Sequence, residues 1–304
     1  MRGRLGLLLV VAIMALRCGG QSPTAPTATT PATGRPPETS PPSPVAPTSG
    51  TPQIFVGAGD ISMCDSNAES TARLLDGIGG TVFTLGDHAY FHGTREEFRT
   101  CYDPTWGRHK ARTRPVPGNH DYESAGAAPY FEYFGPNAGT AGAGYYSFDV
   151  GAWHVVALNS NISIDSQLAW LQRDLLANRA ECTLAYFHHP LFTSGPDGST
   201  PDVYPLWQVL YDAGAEVVLN GHEHFYERFA PQDPGGRADP VRGLREFIVG
   251  TGGAALYQPV RLAPNSETRI SSFGVLKLTL AAGRYDWEFV PVGGASDRGT
   301  GACH

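Results

Sequence analysis

Thr81-Val82-Phe83-Thr84-Leu85-Gly86-Asp87-His88-Ala89-Tyr90 decides the fold of this chain. Its first half is β-branched and aromatic, the composition of a short buried strand. Its second half opens on a glycine, which lets the backbone turn sharply, and then presents an acid, an imidazole and a phenol. The same order recurs on either side. Upstream, Ile54-Phe55-Val56 runs into Gly57-Ala58-Gly59-Asp60. Downstream, Arg114-Pro115-Val116-Pro117 runs into Gly118-Asn119-His120-Asp121, residues 183–187 into His188-His189-Pro190, and residues 216–219 into Asn220-Gly221-His222-Glu223-His224. Between and after these come expected helices over 69–78, 95–111 (interrupted), 167–177 and 206–213. A hairpin turning at Gly151 (145–150 and 153–159) and later strands over 245–249, 274–280 and 285–291 are also expected. In the 167–177 helix, Leu168, Leu171, Leu175 and Leu176 fall on one face. Strands alternating with helices predict an α/β fold, in which sites form just outside the carboxyl ends of the strands.

Taken singly, each cluster is an ordinary polar turn. Together they place carboxylate, amide oxygen and imidazole at successive strand ends, the donors that hard and borderline cations prefer. Five such clusters in order point to one shared metal site.

In this order the clusters resemble the calcineurin-like metallophosphoesterase superfamily, and Gly86-Asp87-x-x-Tyr90 resembles its purple acid phosphatase branch. The similarity runs from about Gln53 to the C-terminus. Without a long N-terminal β-sandwich domain, the chain is similar to the small, single-domain bacterial type. The resemblance implies a four-layer α/β/β/α sandwich of two mixed β-sheets flanked by helices, with a dinuclear metal site at the strand ends. Carried over position by position, it implies that Asp60, Asp87, Tyr90 and His224 bind one metal ion. Asp87, Asn119, His188 and His222 bind the other, with Asp87 bridging. The implied pair is Fe(III) with a divalent ion (Zn, Mn or Fe), or otherwise a Zn or Mn pair. A tyrosinate at Tyr90 favours ferric iron and would colour the protein.

The implied reaction is hydrolysis of a small phosphomonoester, with a metal-held hydroxide attacking phosphorus. His120 is expected to serve the leaving group, Asp121 to orient the His120 imidazole, and His189 to contact substrate. A phosphodiesterase or nucleotidase on the same ligands remains an alternative, because loops rather than ligands set that choice. A non-catalytic phosphate-ligand binding protein is the alternative of another class; the completeness of the seven-residue set speaks against it. His88 and His92 depart from the family pattern and are expected to be surface residues without a role. Residues 250–253 (Gly-Thr-Gly-Gly) lack the spacing of a nucleotide loop and are expected to pack behind the site. Trp106, Trp153, Trp170 and Trp207 are expected in the core.

The rest of the chain bounds the setting. Of 304 residues, 41% are hydrophobic and 17% charged, enough to bury a sizeable core. A formal net charge of −7 without a basic run argues against nucleic acid as a partner. Arg2 and Arg4 precede an apolar run, Leu7 to Leu16, too short to span a bilayer; residues 1–18 read as a signal peptide. Ala15-Leu16-Arg17-Cys18 resembles a lipoprotein signal except at Arg17, which leaves a lipid anchor at Cys18 and plain secretion as alternatives. Residues 19–52, rich in Pro and Thr, read as a disordered tether, and 53–304 as the metallophosphoesterase domain. The expected location is extracellular or cell-surface attached. Cys64, Cys101, Cys182 and Cys303 allow three disulfide pairings in an exported chain; a Cys101–Cys182 bridge is the expectation.

Overall fold

The computed structural model describes residues 50–304; the expected signal peptide, Cys18 and nearly all of the tether lie outside them. In chain order the strands are β1 (Gln53–Ala58), β2 (Thr81–Leu85), β3 (Thr113–Val116), β4 (Tyr146–Val150), β5 (Trp153–Ala157), β6 (Cys182–Tyr186) and β7 (Val217–Asn220). They continue with β8 (Tyr226–Phe229), β9 (Arg245–Val249), β10 (Ser266–Ile270), β11 (Gly274–Ala281), β12 (Arg284–Pro291) and β13 (Asp297–Ala302). The helices are α1 (Ser66–Asp76), α2 (Arg95–Glu97), α3 (Asn119–Tyr122), α4 (Ala128–Phe134), α5 (Asp165–Ala177) and α6 (Tyr204–Asp212).

The strands form two mixed sheets, ordered β13-β12-β11-β1-β2-β3 and β10-β8-β9-β7-β6-β5-β4. β1, β2 and β3 are mutually parallel, as are β5, β6, β7 and β9; the outer strands pair antiparallel. Period-two alternation explains the layering. In the second sheet Val155, Ala157, Leu184, Tyr186, Val217 and Leu219 face the core shared with the first sheet. Their neighbours Val156, Ala185, Phe187 and Val218 face Leu171 of α5 and Leu206, Trp207 and Leu210 of α6. Rings close the gap between sheets: Phe55 lies 5.8 Å from Tyr186, Trp153 5.6 Å from Tyr285, and Tyr226 4.4 Å from Phe289. α1 packs on the outer side through Ala68, Ala72 and Leu75. This is the expected arrangement of two mixed sheets flanked by helices.

Three strands escape a reading by apolar pattern. β10 and β13 are polar edge strands, and β8 carries Glu227 and Arg228. Leu176 is 80% exposed, so the apolar face of α5 is narrower than its leucines suggest, whereas Trp106, Trp153 and Trp207 are buried. The expected Cys101–Cys182 bridge is not formed. Cys64 pairs with Cys101 and Cys182 with Cys303, at Cα separations of 4.5 and 5.6 Å. Cys182 opens β6 in the second sheet, and the return of β13 brings Cys303 to it; Cys101 lies on a separate turn beyond α2.

β9 carries an acid inward. Glu246 is fully buried, and its Oε2 has no hydrogen-bond partner. Burial, then the nearby Glu227 carboxylate, pushes its carboxyl well above the ordinary 4.5. A carboxyl raised in the folded state contributes stability that is complete below 4.5 and is lost as pH rises above it. Glu246→Gln is therefore expected to flatten the fall in stability above that pH, removing up to about 1.4 kcal/mol per pH unit. Urea midpoints of both proteins from pH 4.5 to 8 check this; parallel curves would contradict it.

Candidate metal centre

The site is built where β1, β2, β3, β6 and β7 end. Asp60 follows β1 and Asp87 follows β2; Asn119 opens α3 just beyond β3; His188 lies just beyond β6, and His222 and His224 beyond β7. Asp60, Asp87 and His222 take positive φ values of 59°, 53° and 71°. Non-glycine residues rarely adopt that conformation, and such strain clusters at functional sites. The chain holds it through cross-links between strand ends: Asp60 N donates to Gly86 O (3.1 Å), Ile61 N to Asp87 O (2.9 Å) and His222 N to Asp60 Oδ2 (2.9 Å). Glycine is required at 118, where a Cβ would lie 2.8 Å from the Asp87 carboxyl carbon.

The seven expected ligands converge as two overlapping groups. In one, Tyr90 Oη lies 3.1 Å from Asp60 Oδ1, 3.0 Å from Asp87 Oδ2 and 3.1 Å from His224 Nε2. In the other, Asn119 Oδ1 lies 2.9 Å from His188 Nε2 and 3.1 Å from His222 Nδ1, and the two ring nitrogens are 3.2 Å apart. Asp87 Oδ2 belongs to both, being 3.5 Å from His188 Nε2. Carboxylate and imidazole atoms alone make two candidate ion sites among the described residues: Asp60, Asp87 and His188, and His188, His189 and His222.

Proton placement fits a cation. His188 Nδ1 donates to Leu85 O (2.6 Å) and His224 Nδ1 to Ala255 O (2.8 Å), so each neutral ring turns an Nε2 lone pair inward. There His188 Nε2 faces an amide oxygen, a carboxylate and a second ring nitrogen. Without a cation, burial and the neighbouring charges set the protonation. Burial would lower His188, but the Asp87 carboxylate offsets it and raises it to about 9. Burial and His188 bring His222 down to about 4 and His189 to about 2. Burial, then Asp60 and Asp87, holds the Tyr90 phenol well above its usual value. A divalent or trivalent ion bound there would act in the opposite sense, because its charge favours the phenolate.

Asp121 behaves differently from expectation. His120 Nδ1 donates to Phe91 O (2.7 Å), which fixes the ring and leaves Nε2 facing the site, 4.0 Å from Asp87 Oδ2. Asp121 does not orient it. The two are consecutive residues of α3, where neighbouring side chains diverge by about 100°. Asp121 instead accepts from Asp87 N (3.0 Å) and Gly118 N (2.8 Å), and its Oδ2 meets His88 Nδ1 at 2.9 Å. His88 is thus no surface residue. It is fully buried, with Nε2 2.7 Å from Thr84 Oγ1 and its ring among Phe98, Tyr102, Tyr130 and Phe134. His92 is exposed, as expected.

His189 sits beside the second group, its ring 4.6 Å from that of His222 and its Nδ1 2.8 Å from Ser160 Oγ. Ser160 and Tyr257 were not legible beforehand. Tyr257 stacks on the His224 ring at 4.1 Å and 11°. Neither lies in a motif, so no local signal could have found them. Residues 250–253 do pack behind the site, with Gly252 N donating to Gly59 O (2.8 Å).

Comparison with known proteins identifies the family. A family model described as calcineurin-like phosphoesterase matches residues 55–226. Among curated proteins, purple acid phosphatase 21 of Arabidopsis thaliana is 32% identical over 258 residues, covering 73% of this chain and 56% of that protein. Purple acid phosphatase 22 of the same plant is 28% identical over 247 residues, covering 76% and 52%. The chain spans about half the length of the curated relatives it matches. Among solved structures, a purple acid phosphatase from seeds of yellow lupin (Lupinus luteus) superposes with a TM-score of 0.66 at 18% identity, covering 84% of this chain and 54% of that one; this supports the fold.

Proposed function

The chain belongs to the calcineurin-like phosphoesterase family, in its purple acid phosphatase-like branch, and from that premise we propose that it hydrolyses small phosphate monoesters with two metal ions. The observation that carries the reading is the inward convergence of His188 Nε2, His222 Nδ1, Asn119 Oδ1 and Asp87 Oδ2. Asp60, Asp87, Tyr90 and His224 would hold one ion and Asp87, Asn119, His188 and His222 the other. Bound there, the ions would supply Lewis acidity toward phosphate oxygens and toward water.

The chain's own groups do the rest. The oxygen of water joins phosphorus as the bond from phosphorus to the ester oxygen breaks, and the departing oxygen takes up a proton. His120 Nε2 is placed to hold that proton at the leaving oxygen, with Phe91 O fixing the ring. His189, paired with Ser160 Oγ, would contact the substrate as well. Around this centre the domain comprises residues 53–304, exported by the N-terminal segment and tethered by residues 19–52, with lipid attachment at Cys18 as one mode of retention. The two disulfides support an oxidising destination.

Two readouts test the proposal. Elemental analysis of the purified domain is expected to give two metals per chain, and a chelator is expected to abolish hydrolysis of p-nitrophenyl phosphate. No metal after loading would overturn it. If iron occupies the Tyr90 side, the loaded protein absorbs in the visible and Tyr90→Phe bleaches that band. An unchanged band would remove Tyr90 from the ligand set.

A further inference from the structure

A cavity lies beside the candidate centre. It has a volume of about 990 Å³ and lies between residues 160–165 and residues 191–205. That is the size of a site for a drug-sized ligand. Its walls are mainly apolar: Ile162, Ile164, Leu191, Phe192 and Tyr204 line it. Ile164 and Phe192 pack onto the outer core of the second sheet, whereas Tyr204 stands 43% exposed. The only carboxylates in the lining are those of Asp165 and Asp202, both exposed; no lysine or arginine contributes.

The cleft is tied to the candidate centre by two residues of its wall. Ser160 pairs with His189 at 2.8 Å and also accepts from the His189 N–H at 3.1 Å. Asn161 donates through Nδ2 to Pro117 O (2.8 Å), immediately before the Gly118-Asn119 turn. These contacts put the wall next to His189 and to the turn that carries Asn119.

We infer that the cleft binds the alcohol half of the substrate, and that this half is an uncharged aromatic group. The inference rests on the function proposed above and narrows it. Apolar walls gain by covering an aromatic ring, and Tyr204 adds a ring face. A leaving group bearing further phosphates or carboxylates would meet Asp165 and Asp202 with no cation in the wall to offset them.

The test is equilibrium binding of two probes to the metal-loaded full chain: naphthalen-1-ylmethylphosphonate, which cannot be hydrolysed, and inorganic phosphate. The wild type is expected to bind the phosphonate more tightly than phosphate. Tyr204→Ala, at an exposed position, and Ile164→Ala are each expected to raise the phosphonate Kd by about tenfold and to move the phosphate Kd by less than about twofold. Equal weakening of both probes, no weakening of either, or a wild type that prefers phosphate overturns the inference. Hydrolysis of 1-naphthyl phosphate is measured alongside. Selective phosphonate binding without turnover would sink the proposed function and leave the cleft assignment standing; turnover without selectivity would do the reverse.

Discussion

Asp87→Asn is expected to lower turnover of a phosphate monoester by roughly a thousandfold, the scale on which one electrostatic group at a reacting centre acts. The domain is expected to remain folded. Asn is the informative replacement because it keeps the shape and tolerates the left-handed backbone (φ 53°) that this position adopts. Its amide oxygen can still accept the 2.8 Å bond from His120 N. What disappears is the charge on the one oxygen shared by both ligand groups. Burial alone would raise this carboxyl; His188 and His120 more than offset it and hold it below the ordinary carboxylate range. A cation pair held by the two groups would gain more from that negative charge than from any other single group here, since both groups include it. Metal content should fall below two per chain while the circular dichroism spectrum persists. A variant with full activity would end the two-metal reading.

The second large effect is expected one layer out, at Asp121→Ala. This residue touches no expected ligand atom, yet it accepts from Asp87 N, Gly118 N and His88. Both Asp121 and His88 are fully buried, so removing the carboxylate leaves the N–H groups of Asp87, Gly118 and His88 without their acceptor. Each buried donor left without its acceptor costs about 1–3 kcal/mol. Asp87 is held in a strained turn partly through its N–H, so its carboxylate loses its fixed position as well. Metal affinity should weaken by about 10–100-fold, the range for groups that orient ligands. Competition against a chromogenic chelator reads the affinity, and urea denaturation reads the stability. Unchanged metal affinity with altered dependence on the leaving group would instead restore a role beside His120.

These two positions mark what the sequence could and could not disclose. The convergence of the expected ligands was legible because donor residues at strand ends, each next to a glycine or a proline, are a local signal. So was the α/β order, since alternating apolar positions in β5, β6 and β7 meet two cores. Asp121 was misread because adjacency in sequence opposes adjacency in a helix. His88 was misread because only the fold brings Phe98, Tyr102, Tyr130 and Phe134 around it. β13 lacks an apolar pattern, and with it went the pairing of Cys303.

That pairing bears on more than connectivity. Asp60, Asp87 and Asn119 come from the first sheet, and His188, His222 and His224 from the second. Cys182 and His188 lie at opposite ends of β6, and Cys303 follows the outermost strand of the first sheet. The two sheets are therefore like the jaws of tongs, riveted at the handles and bringing the expected ligands together at the tips. Reduction of the Cys182–Cys303 bond draws the rivet, so metal retention in the presence of a thiol becomes a gauge of how firmly the two jaws grip without it.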